Sequence, residues 1–180
     1  KKSKGGFTVE GGSISIACNV QTGEINVTDS KTGKKYLQQV KATVSDGSSR
    51  VLFSTVSKEE NWIGFGDQTR KRIYHRGFLA DCNVRNGPYF MSTEGTGVLV
   101  NTTYHIVFDM AKTNPDQFFW LDKSGNIDYY VITGNDFHEL IDRYTDLTGK
   151  PRLPPEWSFG LWYVCRTQAH DHEAMSDALN

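Results

Sequence analysis

Over residues 13–20 the apolar side chains are Ile14, Ile16, Cys18 and Val20, alternating strictly with smaller or polar ones. A period of two places every second side chain on one face, so this segment reads as a half-buried strand. Gln21-Thr22-Gly23-Glu24 supplies a turn, Ile25 and Val27 resume the alternation, and Lys31-Thr32-Gly33-Lys34 supplies the next turn, which makes a meander. Further strands are expected over residues 36–44, 50–56, 97–101, 104–110 and 118–121. The last is expected to form a hairpin, through Lys123-Ser124-Gly125-Asn126, with residues 127–133. Many short strands separated by Gly-rich turns predict a β-sandwich rather than alternating strands and helices.

The pattern changes at Asn135, where an Asn or Asp N-cap precedes Phe137, Leu140, Ile141, Tyr144 and Leu147, spaced as one face of a helix. Gly149 and Pro151 end it. Leu153-Pro154-Pro155-Glu156 can neither extend a helix nor join a sheet interior, and reads as a stiff linker at a domain boundary. Residues 159–165 are an almost unbroken apolar run, expected to be a strand covered on both faces. Ala174, Met175, Ala178 and Leu179 then recur at helical spacing from Asp171 on. A buried strand followed by a helix is half of a βαβ unit, so the fold is expected to continue beyond Asn180.

Lys and Arg number 20 against 21 Asp and Glu, a net charge of -1, which leaves no broad positive surface for nucleic acid. No run approaches the ~20 apolar residues of a membrane helix, and the first six residues lack the apolar stretch of a signal peptide. Neither nucleic acid nor membrane is an expected partner. Cys18, Cys82 and Cys165 are odd in number and far apart, as expected of free thiols rather than a disulfide framework or zinc site. His170-Asp171-His172-Glu173 contains ligand types, but neighbours on a helix start face different ways, so Asp171 is read as a cap. Asn26-Val27-Thr28 and Asn101-Thr102-Thr103 match the glycosylation sequon, which matters only in a eukaryotic secreted protein.

Three segments together resemble glycoside hydrolase family 31, the α-glucosidase and α-xylosidase family. Ile63-Gly64-Phe65-Gly66-Asp67 is similar to its Gly-x-Gly-Glu strand end, with Asp in place of Glu. The run from Pro88-Tyr89-Phe90-Met91-Ser92 through Gly95-Thr96-Gly97-Val98 to Asn101 resembles its second motif, with Thr96 in place of an aromatic. Tyr144-Thr145-Asp146-Leu147-Thr148-Gly149-Lys150-Pro151, followed by Leu153-Pro154-Pro155-Glu156-Trp157-Ser158-Phe159-Gly160, looks like the family's junction between sandwich and barrel.

The resemblance implies a galactose-mutarotase-like β-sandwich over residues 1–133, a connecting helix and Pro-rich linker over 134–155, and the first strand and helix of an incomplete (β/α)8 barrel over 156–180. It implies the N-terminal portion of a retaining α-glycosidase hydrolysing α-linked sugars, with no cofactor and no metal. The two carboxyls of such a reaction stand about 5 to 5.5 Å apart, and a whole barrel takes roughly 250 residues. Both catalytic aspartates are therefore expected beyond this chain, which alone should be inactive; its expected partners are an α-linked oligosaccharide or glycoside and the remainder of the barrel. Candidate sugar contacts are Arg166 and Gln168 at the end of the first barrel strand. Residues 70–87, expected as a loop reaching over the barrel mouth, offer His75, Arg76 and Asp81 besides Tyr74, Asn83 and Arg85. The alternative is a stand-alone carbohydrate-binding β-sandwich, with aromatic residues forming a stacking platform.

Overall fold

The computed structural model describes residues 2–3, 5–66, 73–82, 87–160 and 170–179. The chain opens with β1 (Lys2–Ser3), β2 (Gly6–Gly11), β3 (Ile14–Asn19), β4 (Ile25–Asp29), β5 (Lys35–Ser45) and β6 (Ser48–Ser54), an antiparallel meander. Its turns are built from side chains that substitute for the missing ladder. Asn19 Oδ1 accepts the N–H groups of Gln21 and Thr22, and Asp29 Oδ1 accepts those of Lys31 and Thr32. Between β5 and β6 the chain reverses on Asp46 and Gly47, both at positive φ (51° and 69°), as a tight hairpin with right-handed twist requires.

The chain continues with β7 (Trp62–Gly64), β8 (Phe78–Cys82), β9 (Tyr89–Ser92), β10 (Thr96–Val100), β11 (Ile106–Met110), β12 (Gln117–Asp122), β13 (Tyr129–Thr133) and helix α1 (Phe137–Thr148). These strands complete two sheets: nine strands in the order β1-β2-β3-β4-β5-β6-β12-β11-β8, and four in the order β13-β10-β9-β7. The architecture is the expected β-sandwich.

One expectation fails. β12 and β13 do not form a hairpin: β12 lies between β6 and β11 in the larger sheet, while β13 pairs with β10 in the smaller. The Lys123–Asn126 region does turn, because Asp122 accepts both the N–H and the hydroxyl of Ser124, and Gly125 takes a φ of +73°. The turn, however, carries the chain out of the sheet. The Ser49 hydroxyl donates to the Asn126 carbonyl, and Asp128 accepts the Asn101 N–H on the other layer.

Aromatic rings fill the space between the sheets. Trp62, Trp120, Phe53, Phe65, Phe90, Phe108 and Phe118 are all less than 2% exposed. Phe53 stacks on Phe118 at 4.9 Å and meets Trp120 at 4.7 Å and, edge-on, Tyr129 of the smaller sheet at 6.0 Å. Each such pair adds about 0.5–1.5 kcal/mol to the burial of its area. The far end of the meander only lines the margin of this core: no residue of β2 or β3 is fully buried, and Ile14 and Ile16 of β3 pack against it half-buried.

Helix α1 covers the other face of the smaller sheet. Leu140 is fully buried against Met91 and Ile132, with Phe137 and Tyr144 at the margin beside Ile63 and Tyr89. Asp136 Oδ1 accepts the Glu139 N–H, and Glu139 reaches back to the Asn135 N–H, so the helix start is capped reciprocally. It ends at Gly149, φ +101°.

Two compact units divide here, Lys1–Thr148 and Gly149–Asn180. In the second, residues 150–155 are exposed, a 3-10 turn spans Glu156–Phe159 and α2 spans Asp171–Leu179. The strand expected over residues 159–165 begins on Phe159, the last residue of that turn, and beyond Gly160 lies outside the described residues.

Phe53→Ala should lower the unfolding free energy in urea by about 3–5 kcal/mol, since the ring's cavity lies between rigid sheets. Phe7→Ala, at a 41% exposed position, should change it by less than about 0.5 kcal/mol. Equal losses would mean that the meander edge is packed as tightly as the centre.

Candidate functional site

The candidate sugar contacts fall in different surroundings. His75 is buried, its ring edge-on to Phe65 at 5.6 Å and tilted over Phe78 at 4.8 Å. Arg76 spends its guanidinium on the sandwich: one terminal nitrogen donates to the Glu60 carbonyl at 2.6 Å and the other to the Pro115 carbonyl at 2.7 Å. Tyr74 beside them is exposed. Asp81 lies on β8, opposite Val107 of β11. The loop expected over residues 70–87 therefore contains a strand, because Phe78 and Ala80 alternate into the core. Arg166 and Gln168 lie outside the described residues, as do Asn83 and Arg85.

Just before β7 stands Glu60, which no motif or periodicity of the sequence singles out. It is 2% exposed, and its carboxyl bridges the two layers. The Ser92 hydroxyl at the end of β9 donates to Oε1 at 2.6 Å, and the Val56 N–H, two residues past β6, donates to Oε2 at 2.8 Å. Burial raises its pKa above the ordinary 4.5, against the lowering pull of those two bonds; Glu94 adds to the rise and Arg76 subtracts from it. The Arg76 guanidinium also lies 5.7 Å from the Trp62 ring, a cation–π contact closing the same end of the sandwich.

The motif around Ser92 forms the β9–β10 turn. Asn61 and Thr93 exchange two hydrogen bonds, and the Ser57 hydroxyl donates to Glu94 Oε1 at 2.6 Å. Gly95, at φ +85°, accepts the Gly134 N–H, and a Cβ there would stand 2.4 Å from the Gly134 carbonyl oxygen. This close approach seats the start of α1 on the turn. Between them lies a cavity of about 240 Å³, walled by Ser92, Thr93 and Gly95 on one side and Asn135, Asp136 and Phe137 on the other, over Leu140. Tyr89 donates to the Leu140 carbonyl and stacks on Tyr144 at 4.1 Å; burial raises the pKa of its phenol.

The Gly64-Phe65-Gly66 motif is strained. All three residues have positive φ (122°, 67° and 76°), and Phe65 is fully buried among Phe90, Phe108, Phe78 and His75. A bulky residue keeps that backbone only where packing over-determines it.

Among the described residues no group of three or more His, Cys, Asp or Glu could hold a metal ion, and no helix is long and apolar enough to cross a membrane. His170 and His172, expected to diverge, stack in parallel at 5.6 Å, because His170 precedes the helix and is not bound by its periodicity. Cys18 is a half-buried free thiol. In the sequons, Asn26 accepts from Gln38, and Asn101 donates to Asp128. The carboxyls of Glu60 and Glu94 each take a hydroxyl of the sandwich itself, so what this cluster can do is position backbone.

No family model matches the chain. An isomaltosyltransferase from Sporosarcina globispora is 40% identical over 138 residues, 67% of this chain and 12% of the relative. An α-xylosidase from Lactiplantibacillus pentosus is 40% identical over 78 residues, 43% of this chain and 10% of the relative. This chain thus spans about an eighth or less of these curated relatives. Among solved structures, the cycloalternan-forming enzyme from Listeria monocytogenes in complex with a pentasaccharide substrate superposes with a TM-score of 0.78 at 26% identity, over 90% of this chain and 18% of that one. A GH31 dextranase from Flavobacterium johnsoniae complexed with isomaltotriose shares the fold, with a TM-score of 0.79 at 23% identity over 89% of this chain and 21% of that one.

Gly95→Ala should destabilise the chain by about 3 kcal/mol, through positive φ and the carbonyl clash. Gly33→Ala, with φ +72° but nothing within 4 Å of its Cβ, should cost about 1 kcal/mol. Urea unfolding of the pair separates backbone strain from the loss of the helix seat.

Proposed function

We propose, on the premise that its curated relatives and structural neighbours are enzymes of glycoside hydrolase family 31, that this chain is the N-terminal portion of a retaining α-glycosidase. Its sandwich, residues 1–133, supports the catalytic domain; residues 134–155 connect the two; residues 156–180 begin a (β/α)8 barrel whose remaining strands carry both catalytic aspartates. The observation carrying this reading is the 40% identity to a sugar-transferring enzyme across 138 residues, together with the Leu-Pro-Pro segment that follows α1.

Relatives of both hydrolase and transferase type fit one mechanism. One aspartate attacks the anomeric carbon as the other protonates the leaving oxygen; the glycosyl-enzyme is then released to water or to a second sugar. Substrates of this class are α-linked glucosides, xylosides or galactosides. In this reading Arg166 and Gln168 stand at the C-terminal end of the first barrel strand and donate hydrogen bonds to sugar hydroxyls, with Asp81 a further candidate contact. His75 and Arg76 are assigned to holding the sandwich together, given their packing and carbonyl partners. The alternative, a stand-alone sugar-binding sandwich, needs an exposed aromatic platform, and the sandwich's Trp62, Trp120 and five fully buried Phe residues are core.

The native polypeptide should hydrolyse a 4-nitrophenyl α-glucoside, α-xyloside or α-galactoside, and proton NMR of the first product should show the α-anomer. Residues 1–180 alone should give no turnover and no calorimetric heat with isomaltotriose. A β-anomeric first product would overturn the retaining mechanism. Turnover by the isolated chain would overturn the placement of the aspartates, and a clear binding isotherm would favour the sugar-binding alternative.

A further inference from the structure

Nine strands face four, and the surplus of the larger sheet lies on one side. At one border Phe65, just past β7, meets Phe78 of β8. At the other the smaller sheet ends with β13, whose Tyr129 hydroxyl donates to Gln39 of β5. β4, β3 and β2 therefore extend past the covering layer. Burial falls off accordingly along rows of directly opposed residues, which share a face. In one row Gln39 is buried, Ile25 and Cys18 are half-buried and Phe7 is exposed; in the next Leu37 and Val27 are buried, Ile16 is half-buried and Val9 is 53% exposed. The face that carries the core thus ends as apolar surface.

β13 has the matching deficit. Among the described residues its one partner strand is β10, and the Arg143 guanidinium takes the Thr133 carbonyl, so the other edge of residues 129–132 is open. An open edge pairs with backbone groups, and an uncovered sheet face packs against apolar side chains at every second position. One extended segment supplies both. With strands ~4.8 Å apart, β5 and β2 are separated by about 14 Å, room for a further strand or two above β4, β3 and β2.

We propose that an extended segment of the same polypeptide, from outside residues 1–180, pairs with the open edge of β13 and covers the inner face of β2, β3 and β4, an occupancy that rests on the longer native polypeptide proposed above. This chain spans 12% of the isomaltosyltransferase and 18% of the cycloalternan-forming enzyme, so in such proteins most of the polypeptide lies outside this span. A segment tethered to the sandwich meets the groove at a high effective concentration, which a separate chain does not. A second copy does not fit. Two-fold antiparallel pairing of β13 with its own copy turns about an axis normal to the sheet, so both larger sheets fall on the same side and their projecting strands collide.

The native polypeptide with p-benzoylphenylalanine in place of Phe7 would be irradiated, and its cross-linked peptides identified by mass spectrometry. The expected product is a cross-link within one chain, from position 7 to a segment outside residues 1–180. No cross-link, one confined to residues 1–180, or one joining two chains would overturn the proposal. Cys18, beneath the same groove, gives a second readout without substitution, and decides alone should the first variant fail to fold. Its alkylation by iodoacetamide in the unmodified native polypeptide should rise with urea in step with global unfolding, as for a thiol reached only by opening. A urea-independent rate below the unfolding transition means an open groove and overturns the proposal. Turnover of α-glycosides is measured on the same preparation. A retaining enzyme with an openly reactive Cys18 overturns the covering segment alone, and a protected Cys18 without that activity overturns only the assigned function.

Discussion

Everything in the sandwich depends on rings packed between two sheets of unequal width. Face-packed sheets stand ~10 Å apart, and only large side chains fill that space without voids. Phe53, Phe118 and Trp120 supply the bulk from the larger sheet, and Trp62 and Phe90 from the smaller. Phe65 completes the set from a backbone that only this packing would tolerate. Strain at Phe65 and density in the core are thus one fact: the stack with Phe90 is what holds the Gly-Phe-Gly turn in its conformation.

Apolar packing has little directionality, and the relative placement of the layers is set by polar ties. The Thr96 hydroxyl donates to the Tyr36 carbonyl, Tyr129 donates to Gln39, and Gln39 donates to the Gly23 carbonyl. Burial raises the Tyr129 phenol's pKa, so it stays a donor across the physiological range. With the Glu60 and Arg76 bridges, these bonds fix how the smaller sheet lies on the larger. They also fix where its outer face receives α1, so the exit point of the unit at Gly149 is set from within the sandwich.

The meander from β3 to β6 was legible in the sequence because a period of two and Gly-containing turns are local signals, and so was α1, whose capping acids and apolar face are contiguous; β1 and β2 were not. Strand partnership was not. Lys123-Ser124-Gly125-Asn126 has hairpin chemistry, yet the turn it makes carries the chain to the other layer, and no local signal reports which strand lies beyond. β7 is too short to show a period, and the charges around β8 disguise Phe78 and Ala80 as loop residues. In the candidate site, residue types could be read and burial could not. His75 and Arg76 have the chemistry to bind hydroxyls, but their surroundings come from Phe65, Glu60 and Pro115, all distant in sequence. Glu60, in the polar stretch Lys58-Glu59-Glu60-Asn61, gave no sign of enclosure.

The extreme shortness of one strand has a further meaning. Open sheets end in rows of unpaired amide groups, which invite foreign strands to add on. One border of the smaller sheet is β7, three residues long. An incoming strand would find only a few groups to pair with there. A sheet that never closes into a barrel thereby limits, at that border, its own capacity to template aggregates.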